Sequence, residues 1–135
     1  MSLRLINVQM DYPARGDKRA QRAADQVLRL AARTRALYAD SGDVMRVEPL
    51  EALDVQVLVA LWKRPATSVS DVSNTLGVRR QTVSKSLRRL RDQRLIADAP
   101  ADEDRREHRH TLTRRGTSAV RRFLDFAIEQ LAEGI

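Results

Sequence analysis

The stretch from Ser68 to Leu95 leaves this chain few choices of fold. It reads S-V-S-D-V-S-N-T-L-G-V-R-R-Q-T-V-S-K-S-L-R-R-L-R-D-Q-R-L. Ser68 and Asp71 form a capping box, with Asp in place of the more usual Glu, and start a short helix over 68–76. Val69, Val72 and Leu76 face inward, and Gly77 permits the tight turn that follows. A second helix spans 79–93. With Val83 at zero and about 100° per residue, Val83, Leu87 and Leu90 fall together and must be core. Gln81, Lys85 and Arg88 fall opposite. Ser84 lies at one margin of that face, with Thr82 and Arg89 at the other. Two short amphipathic helices joined at a glycine, the second with a polar face of long donors, make a helix-turn-helix.

The donors on that face suit the major groove of DNA. Arg or Lys pairs with guanine and Gln with adenine, while hydroxyls and flanking arginines suit phosphates. Arg80, Gln81, Thr82, Ser84, Lys85, Arg88 and Arg89 are the candidate contacts on this helix. A merely solvated basic face is the competing reading. Seven basic residues between Arg79 and Arg94, opposed only by Asp92, argue against it.

Charge points the same way. The net charge is +7, and residues 77–115 hold 12 Arg or Lys against 6 Asp or Glu. The excess sits in one stretch, the footprint of a polyanionic partner. A chain of 135 residues with 42% hydrophobic content fits one domain with a modest core. No apolar run approaches the roughly 18 residues of a membrane span, and the first ten residues do not read as a signal peptide. A cytoplasmic location without membrane attachment is expected. The absence of cysteine excludes disulfides and thiol redox sensing.

Around this stretch the chain reads as a frame. Residues 1–16 are an N-terminal arm, either extended or disordered. Asp17 caps a helix over 17–39, whose Ala20, Ala23, Ala24, Val27, Leu30, Ala31, Thr34 and Tyr38 share one narrow side. Residues 40–53 read as loop with room for a short extended piece. Residues 54–64 form an apolar helix capped by Asp54 and closed by Pro65, although the β-branched content also permits a strand. Trp62 is expected to anchor the core.

After Leu95-Ile96, a polar turn and the alternating His108–Thr113 stretch read as a β-hairpin with an extended loop. Arg105 and Arg106 fall in that loop, where arginine suits the narrow minor groove. Thr113 caps a last helix over 114–133 with a broad apolar stripe, Val120, Phe123, Leu124, Ala127, Ile128 and Leu131. That surface either folds back on the domain or meets another chain. The fold class is mainly α with a small β-hairpin wing: a winged helix-turn-helix over 17–135, with flanking helices at 17–39 and 114–133.

Catalysis has no support. There is no nucleophile with a suitable base, no glycine-rich phosphate loop and no paired carboxylates, so the chain is not read as an enzyme. His108 and His110, with Asp102 and Glu103 nearby, form too thin a ligand set for a metal. No metal and no cofactor is expected.

These blocks resemble the MarR family of winged-helix regulators. The likeness runs over about residues 18–130 through Leu53–Leu58, S-V-S-D-V-S-N-T-L-G-V, T-V-S-K-S-L-R-R-L and D-R-R-E-H-R-H-T-L-T-R-R-G. Asp104 and Arg106, placed before Leu112-Thr113 and Gly116, match the family's wing signature. The resemblance implies a homodimer on pseudo-palindromic double-stranded DNA, usually a repressor, often relieved by a small anionic effector. It also implies a recognition helix at about 80–91, a wing at about 98–110 and a wing arginine at Arg106, with Asp104 pairing to Arg106 to shape the wing. Arg79 stands where the family often has a capping residue. Arg94 stands where it usually has glycine, and a left-handed arginine there carries roughly 1 kcal/mol of strain. His110 replaces an apolar wing residue. The family commonly has a further C-terminal helix, so the dimer here is expected to rest on the helices at 17–39 and 114–133, with the N-terminal arm as a further candidate. The alternative reading is a winged-helix module that binds DNA non-specifically or binds a protein, without operator specificity.

Overall fold

The structure is a computed structural model and describes residues 15–100 and 107–133. The arm over residues 1–14 and the wing loop over 101–106, which carries Asp104, Arg105 and Arg106, lie outside the described residues. The chain divides into two compact units, residues 1–36 and 37–135.

In the first unit lies most of α1 (Lys18–Tyr38). Asp17 starts it, its Oδ1 accepting the Arg19 N–H at 2.9 Å. The apolar side is present as a stripe, but no residue of α1 is buried. Val27, Leu28 and Leu30 are all exposed.

The second unit holds the core. It opens with α2 (Ser41–Met45), one short turn of helix where the spacing predicts loop. Turn-forming residues such as Ser, Gly and Asp serve a one-turn helix equally well. Arg46 ends it in the left-handed region at φ 59°. Gly42 lets the following chain close over the turn: a Cβ there would sit 3.2 Å from Pro49 Cα. Met45 is fully buried, and its carbonyl accepts from Arg122 Nη1 at 3.2 Å.

Next is α3 (Ala52–Lys63), a helix and not a strand. Its cap is Glu51 and not Asp54, which occupies the third helical position instead. Asp54 Oδ2 accepts the Glu51 N–H at 3.1 Å, so the carboxylate reaches back to the cap as a capping box requires. Val55, Val57, Leu58 and Leu61 are buried. Trp62 is not the core anchor expected of it. It remains 44% exposed, because Leu58 and Leu61 occupy the inward sector and turn the indole outward.

After Pro65, Ala66 turns the chain at φ 60° into β1 (Thr67–Ser68). Then come α4 (Val69–Leu76) and α5 (Arg80–Asp92), separated at Gly77, φ 65°. The α4 capping box is formed as the sequence implies, with Asp71 N–H to Ser68 Oγ at 3.1 Å. The wing strands are β2 (Ile96–Asp98) and β3 (Arg109–Leu112). Both partners of β3 run antiparallel to it, in the order β1-β3-β2. Ile96 pairs with Leu112 and Asp98 with His110, while Thr67 pairs with His110 from the other side. The hairpin is thus a three-stranded sheet, completed by the two residues ahead of α4.

The last element is α6 (Arg114–Glu133). Thr113 caps it, its Oγ1 accepting the Gly116 N–H at 3.0 Å. Gly116 is required by close approach, since a Cβ would meet Leu95 O at 2.0 Å. Val120, Phe123 and Ala127 are buried, and Phe123 stacks on Tyr38 with centroids 5.8 Å apart. Ile128 and Leu131, on the same stripe, stay exposed.

Candidate nucleic-acid interface

Helix α5 has two unlike sides. Val83, Ser86, Leu87 and Leu90 are buried. Gln81, Thr82, Ser84, Lys85 and Arg88 are exposed. Among the described residues, neither Lys85 nor Arg88 is paired with a carboxylate. Arg80 is exposed as well and donates to the Ser70 hydroxyl of α4, which links the two helices of the motif. Arg79 precedes the helix with extended backbone and no side-chain cap, and no acidic residue lies in the first turn. The first N–H groups and the positive end of the helix dipole are therefore open to an anion.

Arg89 is placed differently from its neighbours. Its Nη2 donates to Asp54 Oδ1 at 2.8 Å and its Nε to both Asp54 oxygens at 3.3 Å. Glu51 lies 3.5 Å away. The hydrogen bond to Asp54 raises the guanidinium pKa above its ordinary value. Asp54 is only 1% exposed, and Ser86 Oγ donates to its Oδ1 at 2.7 Å. A buried carboxylate is tolerable only when its lone pairs are taken up, and here two α5 side chains and a backbone N–H do so. This arrangement ties α5 to α3. Ser86 lies outside the residues the sequence singles out, and Asp54 is read there only as a helix cap. The signal for Ser86 was a small polar residue inside the apolar sector of the wheel.

The other end of α5 is fixed to the wing. Arg91 Nη1 lies 2.6 Å from Asp98 Oδ1, and its Nη2 donates to His110 Nδ1 at 3.1 Å. His108 Nε2 lies 2.8 Å from the same Asp98 oxygen. The Arg91 bond, and then that of His108, hold the Asp98 carboxyl below its usual range. His110 is buried, and burial first, then the charges of His108 and Arg91, push its imidazole below the ordinary value. Arg109, on the opposite face of β3, donates from Nη1 to Ala66 O at 2.9 Å and pairs with Asp71 at 3.4 Å. The wing base is thus bound to α4 on one side and to α5 on the other. The backbone after α5 takes the left-handed form at Arg94, φ 60°. Thr113 Oγ1 donates to its carbonyl at 2.7 Å.

The arrangement can hold an exposed row of donors at a fixed angle to a wing. Nothing among the described residues resembles a nucleophile with its base. Among the described residues no helix is long and apolar enough to cross a membrane.

Residues 49–107 match the model of the MarR family. No curated protein matches the chain. Among solved structures, RV1404 from Mycobacterium tuberculosis superposes with a TM-score of 0.67 at 21% identity, over 92% of this chain and 83% of that one. BpsR of Bordetella bronchiseptica, whose DNA binding is regulated by 6-hydroxynicotinic acid, gives 0.66 at 24%, over 90% and 82%. The Staphylococcus aureus MarR complex with salicylate and kanamycin gives 0.66 at 20%, over 86% and 76%.

Proposed function

We propose that this chain, a winged-helix DNA-binding regulator of MarR type, acts as a homodimeric repressor on a pseudo-palindromic operator. The observation that carries the reading is the exposed face of α5, whose Lys85 and Arg88 have no carboxylate partner among the described residues, on a helix whose other side is locked to the core. Gln81, Ser84, Lys85 and Arg88 enter the major groove, and Lys85 or Arg88 is suited to guanine and Gln81 to adenine. Arg80 and Thr82 lie where they reach phosphates beside the open start of the helix. Arg89 contributes mainly by holding α5 in place through Asp54. Arg105 and Arg106 reach the minor groove, with Asp104 shaping the wing around Arg106.

Residues 17–135 form the DNA-binding domain and its dimerisation helices. The exposed Val27, Leu28 and Leu30 of α1 and Ile128 of α6 support that role, since apolar groups of this size gain by leaving water. The protein works in the cytoplasm by binding alone. A small anionic effector is in keeping with the ligands of BpsR and of the S. aureus MarR.

Selection of bound duplex from a random pool, with oligomeric state measured alongside, tests this. An inverted repeat with half-sites about 10 base pairs apart, bound by a dimer, is the expected result. The uncapped start of α5, rich in arginine, favours the second reading, a non-specific DNA-binding or protein-interaction module. Tight binding to random duplex with no enriched motif would establish that reading and overturn the first.

A further inference from the structure

The side chains at the base of the wing hold one arrangement that DNA binding does not need. Asp98 closes β2 and is paired in register with His110 of β3. His108 stands two residues earlier than His110, so both imidazoles leave the same face of the strand. Their rings meet edge to face with centroids 4.8 Å apart. One donor atom from each of Asp98, His108 and His110 lies within 4.8 Å of the other two.

We propose that Asp98, His108 and His110 form a binding site for a borderline divalent transition-metal cation, of which Zn²⁺ and Co²⁺ are the test cases. Two imidazoles and one carboxylate are the donors such ions prefer, whereas Mg²⁺ and Ca²⁺ seek oxygen. His110 Nδ1 already presents a lone pair to a cation, whereas His108 Nε2 donates to Asp98 and gives up that proton when an ion binds. His110 Nδ1 accepts from Arg91 at 3.1 Å, and His108 Nε2 lies 2.8 Å from Asp98 Oδ1. A cation already occupies the space, since the Arg91 guanidinium touches Asp98 and His110 together. A divalent ion brings twice that charge to the same donors and displaces it. Donors around a tetrahedral ion stand about 3.3 Å apart, given bonds of about 2 Å. The contraction falls on His108 and Asp98, whose side chains are 60% and 54% exposed. The bound ion crosslinks β2 to β3 and releases Arg91 from the wing.

The two histidines alone make a thin ligand set. Among the described residues the third donor is Asp98, ten residues from His108 and brought there by the hairpin.

Cobalt(II) titrated into the metal-stripped, untagged full chain at neutral pH, followed by its visible absorption, tests the site. The expected result is saturation at one ion per chain. His108→Ala, a surface change, should weaken binding by at least about tenfold, and the isosteric Asp98→Asn should repeat that loss. Arg91→Gln should tighten it by about tenfold, because it removes the competing cation while leaving every donor in place. Absence of a saturable band, uptake unchanged in both ligand variants, or no tightening in Arg91→Gln would each overturn the assignment.

Discussion

Arg88 and Arg89 are adjacent on α5, yet only Arg88 points a guanidinium into solvent without a carboxylate partner among the described residues. Arg89 is bound to a carboxylate that is almost wholly buried. Arg89→Ala leaves Asp54 with Ser86 and a backbone N–H but no countercharge. Breaking a buried pair costs several kcal/mol, and the 42% exposure of the Arg89 side chain lets water recover part of that. A loss of about 2 kcal/mol is expected in denaturant unfolding, against less than about 0.5 kcal/mol for Arg88→Ala. Equal effects from the two substitutions would remove the anchoring role. Arg94 gives a change of opposite sign. Its left-handed backbone is strained for any residue with a Cβ, while its carbonyl bond to Thr113 does not depend on its side chain. Arg94→Gly should therefore stabilise the fold by up to roughly 1 kcal/mol, visible as a higher melting temperature. The gain is offset in part by the extra freedom of glycine in the unfolded chain.

At the scale of elements, the capping box of α4 makes a pH-dependent contribution. Asp71 has its pKa lowered by the Ser68 backbone and side-chain hydrogen bonds, with smaller help from Arg109 and Arg64. A carboxyl whose folded pKa lies below its unfolded value contributes stability that is complete above the unfolded pKa, 3.8, and lost as pH falls through the folded one. Unfolding followed down that range should show Asp71→Asn with a shallower acid limb than the parent. A limb of unchanged slope would assign the effect to other carboxylates. The elements differ in how far the sequence revealed them. Both α4 and α5 were legible, because capping box, glycine turn and helical period all agree there. Helix α2 was not, since one turn has no period to detect. Strand β1 was not either, because two residues carry no alternation and the strand exists only through its pairing with β3. Trp62 was misplaced because a helical wheel ranks residues by hydrophobicity and cannot tell which of two neighbours the core accepts.

Across the whole molecule, the sequence revealed the surface of the site better than its supports. The exposed face of α5 follows from one helix and its period. The bonds that hold it do not: Ser86 reaches a carboxylate 32 residues away, and Arg91 a histidine 19 residues away. Such pairs become visible only when the chain is folded, because nothing local marks Asp54 as an acid to be buried. The same folding gathers Asp98 to the two histidines. The molecule thus holds α5 between two ionic anchors, Asp54 under its middle and the wing base at its end, with Lys85 and Arg88, without a carboxylate partner among the described residues, on the side left open. The proposed function requires that this open face reads bases. The most direct test is the ratio of affinities for the selected duplex and for random duplex at one fixed salt concentration, compared between the parent and a Lys85→Ala, Arg88→Ala double variant. A base-reading face predicts that the ratio falls about tenfold or more while the melting temperature stays unchanged. A ratio that holds steady while both affinities drop together would mean that these residues touch only phosphate, and would contradict the account.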